Sequence, residues 1–192
     1  MGQQAAEQQN DKILNGVNVS RLLSTIEAIK GDATIAKFKF RARNRWINGG
    51  HNRTTITDFY GAKQDLSHDK PFELDEDEHT LLLGEDIGPN PVEYLLTGLV
   101  GCLTSSLVYH AAARGIEIRG IESRLEGDVD LRGFLGLSKD VKVGYENIRV
   151  YFKIDADVSE EEKEELIRMA QKYSPVFNTV ANPTPVSVKL DK

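Results

Sequence analysis

One cysteine, Cys102, stands in 192 residues. A lone thiol cannot close an internal disulfide, so the fold must rest on its apolar core, and the chain suits a reducing compartment. Histidine is sparse too. His51, His68, His79 and His110 are scattered, with no HxH, HExxH or CxxC spacing, which argues against a metal centre. The acidic run Asp75-Glu76-Asp77-Glu78 lacks the glycine and spacing of a calcium loop and reads as a solvated stretch. Gly-rich phosphate loops and a nucleophile elbow are missing. The net charge of −6 runs against a nucleic-acid partner, whose phosphates need an excess of Lys and Arg. The local basic stretch from Lys37 to Arg53, with Trp46 inside it, reads as the solvated face of a strand. The first residues, Met1 to Glu7, hold no apolar core of a signal peptide. These absences point to a soluble cytoplasmic protein, with no cofactor, no metal and no nucleic-acid or membrane partner.

What is present is one long uncharged segment. Tyr94 to Ala113 contains no Asp, Glu, Lys or Arg, and about 20 such residues would span a bilayer. Thr97, Thr104, Ser105, Ser106, His110, Gly98 and Gly101 break that segment up on several sides, so it reads as a buried core helix. Asn90 is a good N-cap, Pro91 suits the first helical position, Glu93 sits in the first turn, and Gly115 ends the helix.

Around this helix the pattern alternates. Asn18 to Lys30 has helical spacing, with Val19, Leu22, Leu23 and Ile26 on one face. Ala36-Phe38-Phe40 alternates with Lys37-Lys39-Arg41 and predicts a half-buried strand. Asn48-Gly49-Gly50 signals a turn, and Arg53 to Tyr60 a second strand completing a hairpin. Gly61 to Asp86 reads as irregular and acidic, with a short extended piece at Pro71–Leu74. Two strands follow, one carrying Ile121, Leu125, Val129 and Leu131, the other Ile148, Val150, Phe152 and Ile154. Gly133 to Gly144 is the loop between them. Ser159 and Glu162 form a capping box opening a helix that turns Leu166, Met169, Ala170 and Tyr173 inward. Val186, Val188 and Leu190 predict a closing strand. The result is an α+β fold with antiparallel sheets packed on helices. A loose tail over residues 1–16 precedes one domain over 17–192.

Cys102 carries two readings. Buried free cysteines usually act as small apolar fillers. The residue lies about three turns into its helix, too far from the N-terminus for the dipole to acidify it, so reactivity would require a nearby cation.

Asn90-Pro91-Val92-Glu93, an apolar run into Gly101-Cys102, and a distant Tyr173-Ser174-Pro175-Val176 together resemble the OsmC/Ohr family, the osmotically inducible and organic-hydroperoxide-resistance proteins. The resemblance covers about Lys37 to Leu190. It implies two intertwined subunits, each with curved antiparallel sheets against a long buried helix. It also implies an antioxidant, stress-response activity: a peroxidase-type oxidoreductase reaction that reduces organic hydroperoxides with thiols. In that chemistry one cysteine attacks the peroxide, an arginine stabilises its thiolate, a glutamate orients the arginine, and a second cysteine forms a disulfide. Matched residue by residue, Cys102 takes the place of the attacking cysteine and Glu93 that of the glutamate. Arg53 is the first choice for the arginine, with Arg45 second. His51 directly follows the paired glycines, where the family often has arginine. Ser174 stands where the second cysteine is expected. A hydroxyl cannot resolve a sulfenic acid, so an external thiol would have to do so.

Geometry adds a constraint of its own. Nine residues separate Glu93 from Cys102, about 13 Å of rise and half a turn of rotation in a straight helix. For both to serve one site, Glu93 must come from a partner subunit or the helix must break. Together with the resemblance, this predicts a homodimer. The alternative from another class is a non-enzymatic relative that binds an apolar small molecule or senses redox state through Cys102.

Overall fold

The computed structural model of the chain describes residues 11–191. It divides into two compact units, one of Met1–Pro89 with Ala112–Glu117, the other of Asn90–Ala111 with Ile118–Lys192. The architecture is α+β with antiparallel sheets, as the sequence pattern predicts.

The first unit begins with a small ribbon of β1 (Ile13–Leu14) and β2 (Val17–Asn18). Part of the expected tail, residues 1–10, lies outside the described residues, and the remainder enters this ribbon. Asn18 then caps α1 (Val19–Gly31) by accepting the Arg21 N–H. The apolar face expected on this helix is only partly covered: Val19 is buried, whereas Leu23 and Ile26 are exposed.

The unit's larger sheet is built around β5 (His51–Gly61). On one side it pairs with β3 (Lys39–Phe40) and β4 (Arg43–Asn48), on the other with β6 (Gln64–Glu76), all antiparallel. The turn at Asn48-Gly49-Gly50 falls where expected, with Gly49 at φ +53°, a conformation that favours glycine. The first predicted strand shrinks to Lys39–Phe40, because Ala33–Ala36 forms a 3-10 turn. The segment expected to be irregular forms the 13-residue β6. Its polar composition and Pro71 hid it. Between the pairs Ile56–Phe72 and Asp58–Ser67 the register slips, so Pro71 falls at an irregularity where no ladder N–H is required. Phe38, Phe40 and Phe59 form a ring cluster with centroids 5.8–6.3 Å apart, and His68 bridges Phe59 to Phe72.

The acidic run after β6 is not simply solvated. Asp77 is buried, and its carboxylate accepts the backbone N–H groups of Glu78, Glu85 and Ile87 at 2.8, 3.0 and 3.3 Å. Burial pushes its pKa up, but these three donors outweigh it and hold the group below the ordinary carboxylate range. Gly88 runs beside the Asp75 main chain, where a Cβ would strike the Asp75 carbonyl.

The second unit contains α2 (Pro91–Ala113) as far as Ala111, β7 (Ile118–Val129), α3 (Leu131–Phe134), β8 (Tyr145–Ala156), α4 (Glu160–Tyr173) and α5 (Pro175–Ala181). β7 and β8 pair antiparallel along nearly their whole length. Leu99, Leu103, Leu107 and Ala111 form a buried stripe on α2, four residues apart. Ile154, Ala156, Leu166 and Ala170 are also buried. The Ser159–Glu162 capping box opens α4 as predicted. The closing strand is a correction. Val186, Val188 and Leu190 are 83%, 92% and 85% exposed and pair with no strand among the described residues. Alternation alone does not make a strand without a ladder partner.

Replacing Gly88 with Ala is expected to destabilise the fold by about 1–3 kcal/mol, since the added methyl meets backbone that cannot rotate away. Urea unfolding of the variant beside the parent measures this. An unchanged midpoint would show that the Asp75 segment yields freely.

Candidate functional site

Cys102 lies on the fourth turn of α2 and is half-buried, beside the stripe of Leu99 and Leu103. On the opposite flank Gly98 and Gly101 face open space, and Leu95, Ser105 and Tyr109 are exposed. The most apolar helix of the chain therefore covers one stripe and leaves a smooth one uncovered. By length and composition α2 could also cross a membrane.

Glu93 is engaged at the start of the same helix. Its carboxylate accepts the Asn90 N–H at 2.9 Å while the Asn90 side chain accepts the Val92 N–H at 2.9 Å, a reciprocal cap that satisfies two N-terminal donors. The helix runs unbroken from Pro91 to Ala113. Of the two ways for Glu93 and Cys102 to share a site, a break in the helix is thereby removed.

Tyr145 is a neighbour that sequence reasoning missed. Its hydroxyl donates to the Val92 carbonyl at 2.8 Å. Burial raises the phenol's pKa, and the Glu93 charge raises it further. Its ring lies where a Cβ on Gly127 would stand, so a Tyr facing a Gly across two predicted strands was the available signal.

Ser174 is fully buried between two helices. It ends α4 through its N–H to the Ala170 carbonyl, and its hydroxyl caps α5 by accepting the Phe177 N–H at 3.1 Å. Its carbonyl accepts from the Asn178 amide. Next to it, the Tyr173 ring packs on His110 of α2 with centroids 4.9 Å apart.

Arg53, Arg45 and His51 belong to the first unit. Arg53 grips Asp75 with two bonds, Nε to Oδ1 at 2.9 Å and Nη2 to Oδ2 at 3.1 Å. His51 Nε2 meets the same Oδ1 at 2.8 Å. Residues 51 and 53 share a face, as their spacing predicts, and the structure adds that they share the Asp75 carboxylate. Arg53, then His51, hold the Asp75 carboxyl below its ordinary pKa. Arg45 lies directly opposite Arg53 in the β4–β5 register and is exposed.

The profile of the OsmC-like protein family matches residues 84–189, more than half of the chain. The fold agrees. An OsmC-like protein from Mycoplasma pneumoniae superposes with a TM-score of 0.57 at 20% identity, covering 74% of this chain and 87% of the other. An organic hydroperoxide resistance protein OsmC from Legionella pneumophila gives 0.53 at 18% identity, over 74% and 88%. An OsmC-like protein of unknown function from Vibrio cholerae gives 0.57 at 9%, over 73% and 92%. At these identities the solved structures speak to fold alone. No curated protein matches the sequence. The chain belongs to the OsmC-like family, and α2 is its central helix.

Two outcomes follow from this geometry. Ser174→Ala should cost about 1 kcal/mol by removing the α5 cap, read as a lowered thermal midpoint, and an unchanged midpoint would show that the hydroxyl bond contributes nothing. The carboxyls of Asp75 and Asp77 have folded pKa values below the unfolded value of about 3.9. Their stabilisation is complete above that value and is lost as pH falls through the lower folded values. An acid titration of stability should therefore flatten in Asp77→Asn, and an acid slope identical to the parent's would remove Asp77 as its source.

Proposed function

We propose that this protein is an OsmC-like thiol-dependent hydroperoxide reductase that works with a single cysteine, in the cytoplasm. The observation that carries the reading is Cys102, half-buried on the central helix of a chain whose family is shown, at the family's spacing from Asn90-Pro91-Val92-Glu93. The Cys102 thiolate attacks one peroxide oxygen. The O–O bond breaks, an S–O bond forms, and the alkoxide leaves as an alcohol after taking a proton. Sulfur is oxidised to sulfenic acid and the peroxide is reduced. Ser174 has no sulfur to condense with it. An external thiol therefore displaces water to give a mixed disulfide, and a second thiol releases Cys102 and carries away the disulfide.

Arg53 is the proposed partner of the thiolate and Glu93 the proposed orienter, both carried over from the resemblance. Because α2 is unbroken, Glu93 would serve the Cys102 of a second copy. The uncovered stripe at Gly98 and Gly101 supports a homodimer, since helix backbones approach closely where side chains are small. Sedimentation at micromolar concentration should give a dimer; a monomer there would remove the shared site.

Ser174 also favours a second reading, in which the fold binds an apolar small molecule and Cys102 acts as a redox sensor or is inert. One experiment separates the two. A stoichiometric pulse of cumene hydroperoxide should convert Cys102 to a sulfenic acid that dimedone traps, passing with excess peroxide to sulfinic and sulfonic forms. A small thiol or dithiol should sustain turnover that Cys102→Ser abolishes. An unmodified Cys102 at peroxide levels that oxidise free thiols would favour the binding reading.

A further inference from the structure

The β4–β5 hairpin concentrates positive charge where sheet energetics opposes it. Arg45 stands directly opposite Arg53, and Arg43 opposite Thr55. Opposed residues share a face, and so do residues two apart on one strand, so three guanidinium groups crowd one side of the hairpin. Like charges directly opposite each other are destabilising. The acids nearby answer this only in part. Asp75, opposite Arg53, is already occupied by Arg53 and His51. Glu73 reaches only Arg53, at 3.7 Å. Asp58 stands 3.7 Å from Arg43 but is held at 2.5 Å by Arg41. Arg45 makes no ion pair among the described residues. Between these groups lies a pocket of about 340 Å³ lined by Arg43, Asn44, Arg45, Arg53, Thr55 and Glu73.

We propose that this pocket binds a small polar organic anion through a carboxylate or phosphate group. Arg43 and Arg45 supply the under-neutralised cations, whose planar forks match either oxyanion. The Thr55 hydroxyl is a further donor on the same face, whereas the Asn44 amide is turned to the other face, where it donates to Asn52, Thr54 and Glu76. The lining holds no apolar side chain, so the rest of the ligand is polar, and the space exceeds what a bare inorganic ion fills. Glu73 at the wall accepts hydroxyl or ammonium groups and disfavours a second negative charge beside it. Arg53 is shared with the proposed Cys102 chemistry, but the binding cations Arg43 and Arg45 are not, so binding can be read independently of that reading.

The test is a calorimetric titration of the full chain with glycerate and, separately, with glycerol phosphate, at constant ionic strength. At least one should bind saturably at one per chain. Arg45→Gln and Arg43→Gln should each weaken it about tenfold or more, whereas Arg168→Gln on α4 should leave it unchanged. Which probe binds decides between carboxylate and phosphate. Without ligand, Arg45→Gln should be at least as heat-stable as the parent, since removing one of two opposed cations relieves repulsion. Absence of saturable binding by both probes at millimolar concentration would overturn the proposal. So would an equal weakening in Arg168→Gln, which would mark a diffuse charge effect.

Discussion

A straight helix fixes which of its residues can meet. In α2 no proline, bulge or break interrupts Pro91–Ala113, and at 100° and 1.5 Å per residue Glu93 and Cys102 diverge by half a turn over about 13 Å. That separation governs the chemistry available to one chain. The carboxylate at the helix start is spent on its own cap, where it satisfies the Asn90 N–H. The thiol, three turns away, gains little from the helix dipole. Any activation of Cys102 must therefore come from side chains outside α2. The uncovered stripe at Gly98 and Gly101 is the surface on which a second helix could bring them.

How much of this was legible depends on whether a local signal existed. α2 was, because caps, composition and length all agreed. The β7–β8 ribbon was, because two apolar faces alternate cleanly along it. β6 was not. Its residues Gln64 to Glu76 are polar and interrupted by Pro71, and the strand exists because β5 offers a ladder along most of its length. The closing strand failed for the converse reason: Val186, Val188 and Leu190 alternate but have no ladder to join. Strand formation is a property of pairs, and a single sequence displays only one member.

The candidate site divides in the same way. Cys102 and Glu93 fall on the helix predicted for them and Ser174 ends the helix above it, so their placement was legible while their roles stay with the proposed function. Tyr145 was missed because its hydrogen bond reaches 53 residues back to Val92, and the Gly127 beneath its ring was its one trace in the sequence. The acidic run looked uniformly solvated, yet Asp75 holds Arg53 and His51, Glu76 accepts from Thr54 and Asn44, and Asp77 collects three backbone N–H groups. Composition assigns charge to a stretch. It cannot say which carboxylates the fold turns inward.

Ser174 shows how a residue can change chemistry while keeping structure. A serine at this point caps α5 with the same short side chain that a cysteine would place there, and its hydroxyl is the stronger hydrogen-bond acceptor. The helix junction therefore does not require sulfur. Disulfide formation does, because a thiol condenses with a sulfenic acid with loss of water and an alcohol does not. With serine at this point the α4–α5 corner is capped, and a chain with one cysteine has no internal disulfide to form. In the proposed chemistry the recovery of Cys102 passes to a thiol from solution, so access to that half-buried sulfur counts as much as its reactivity.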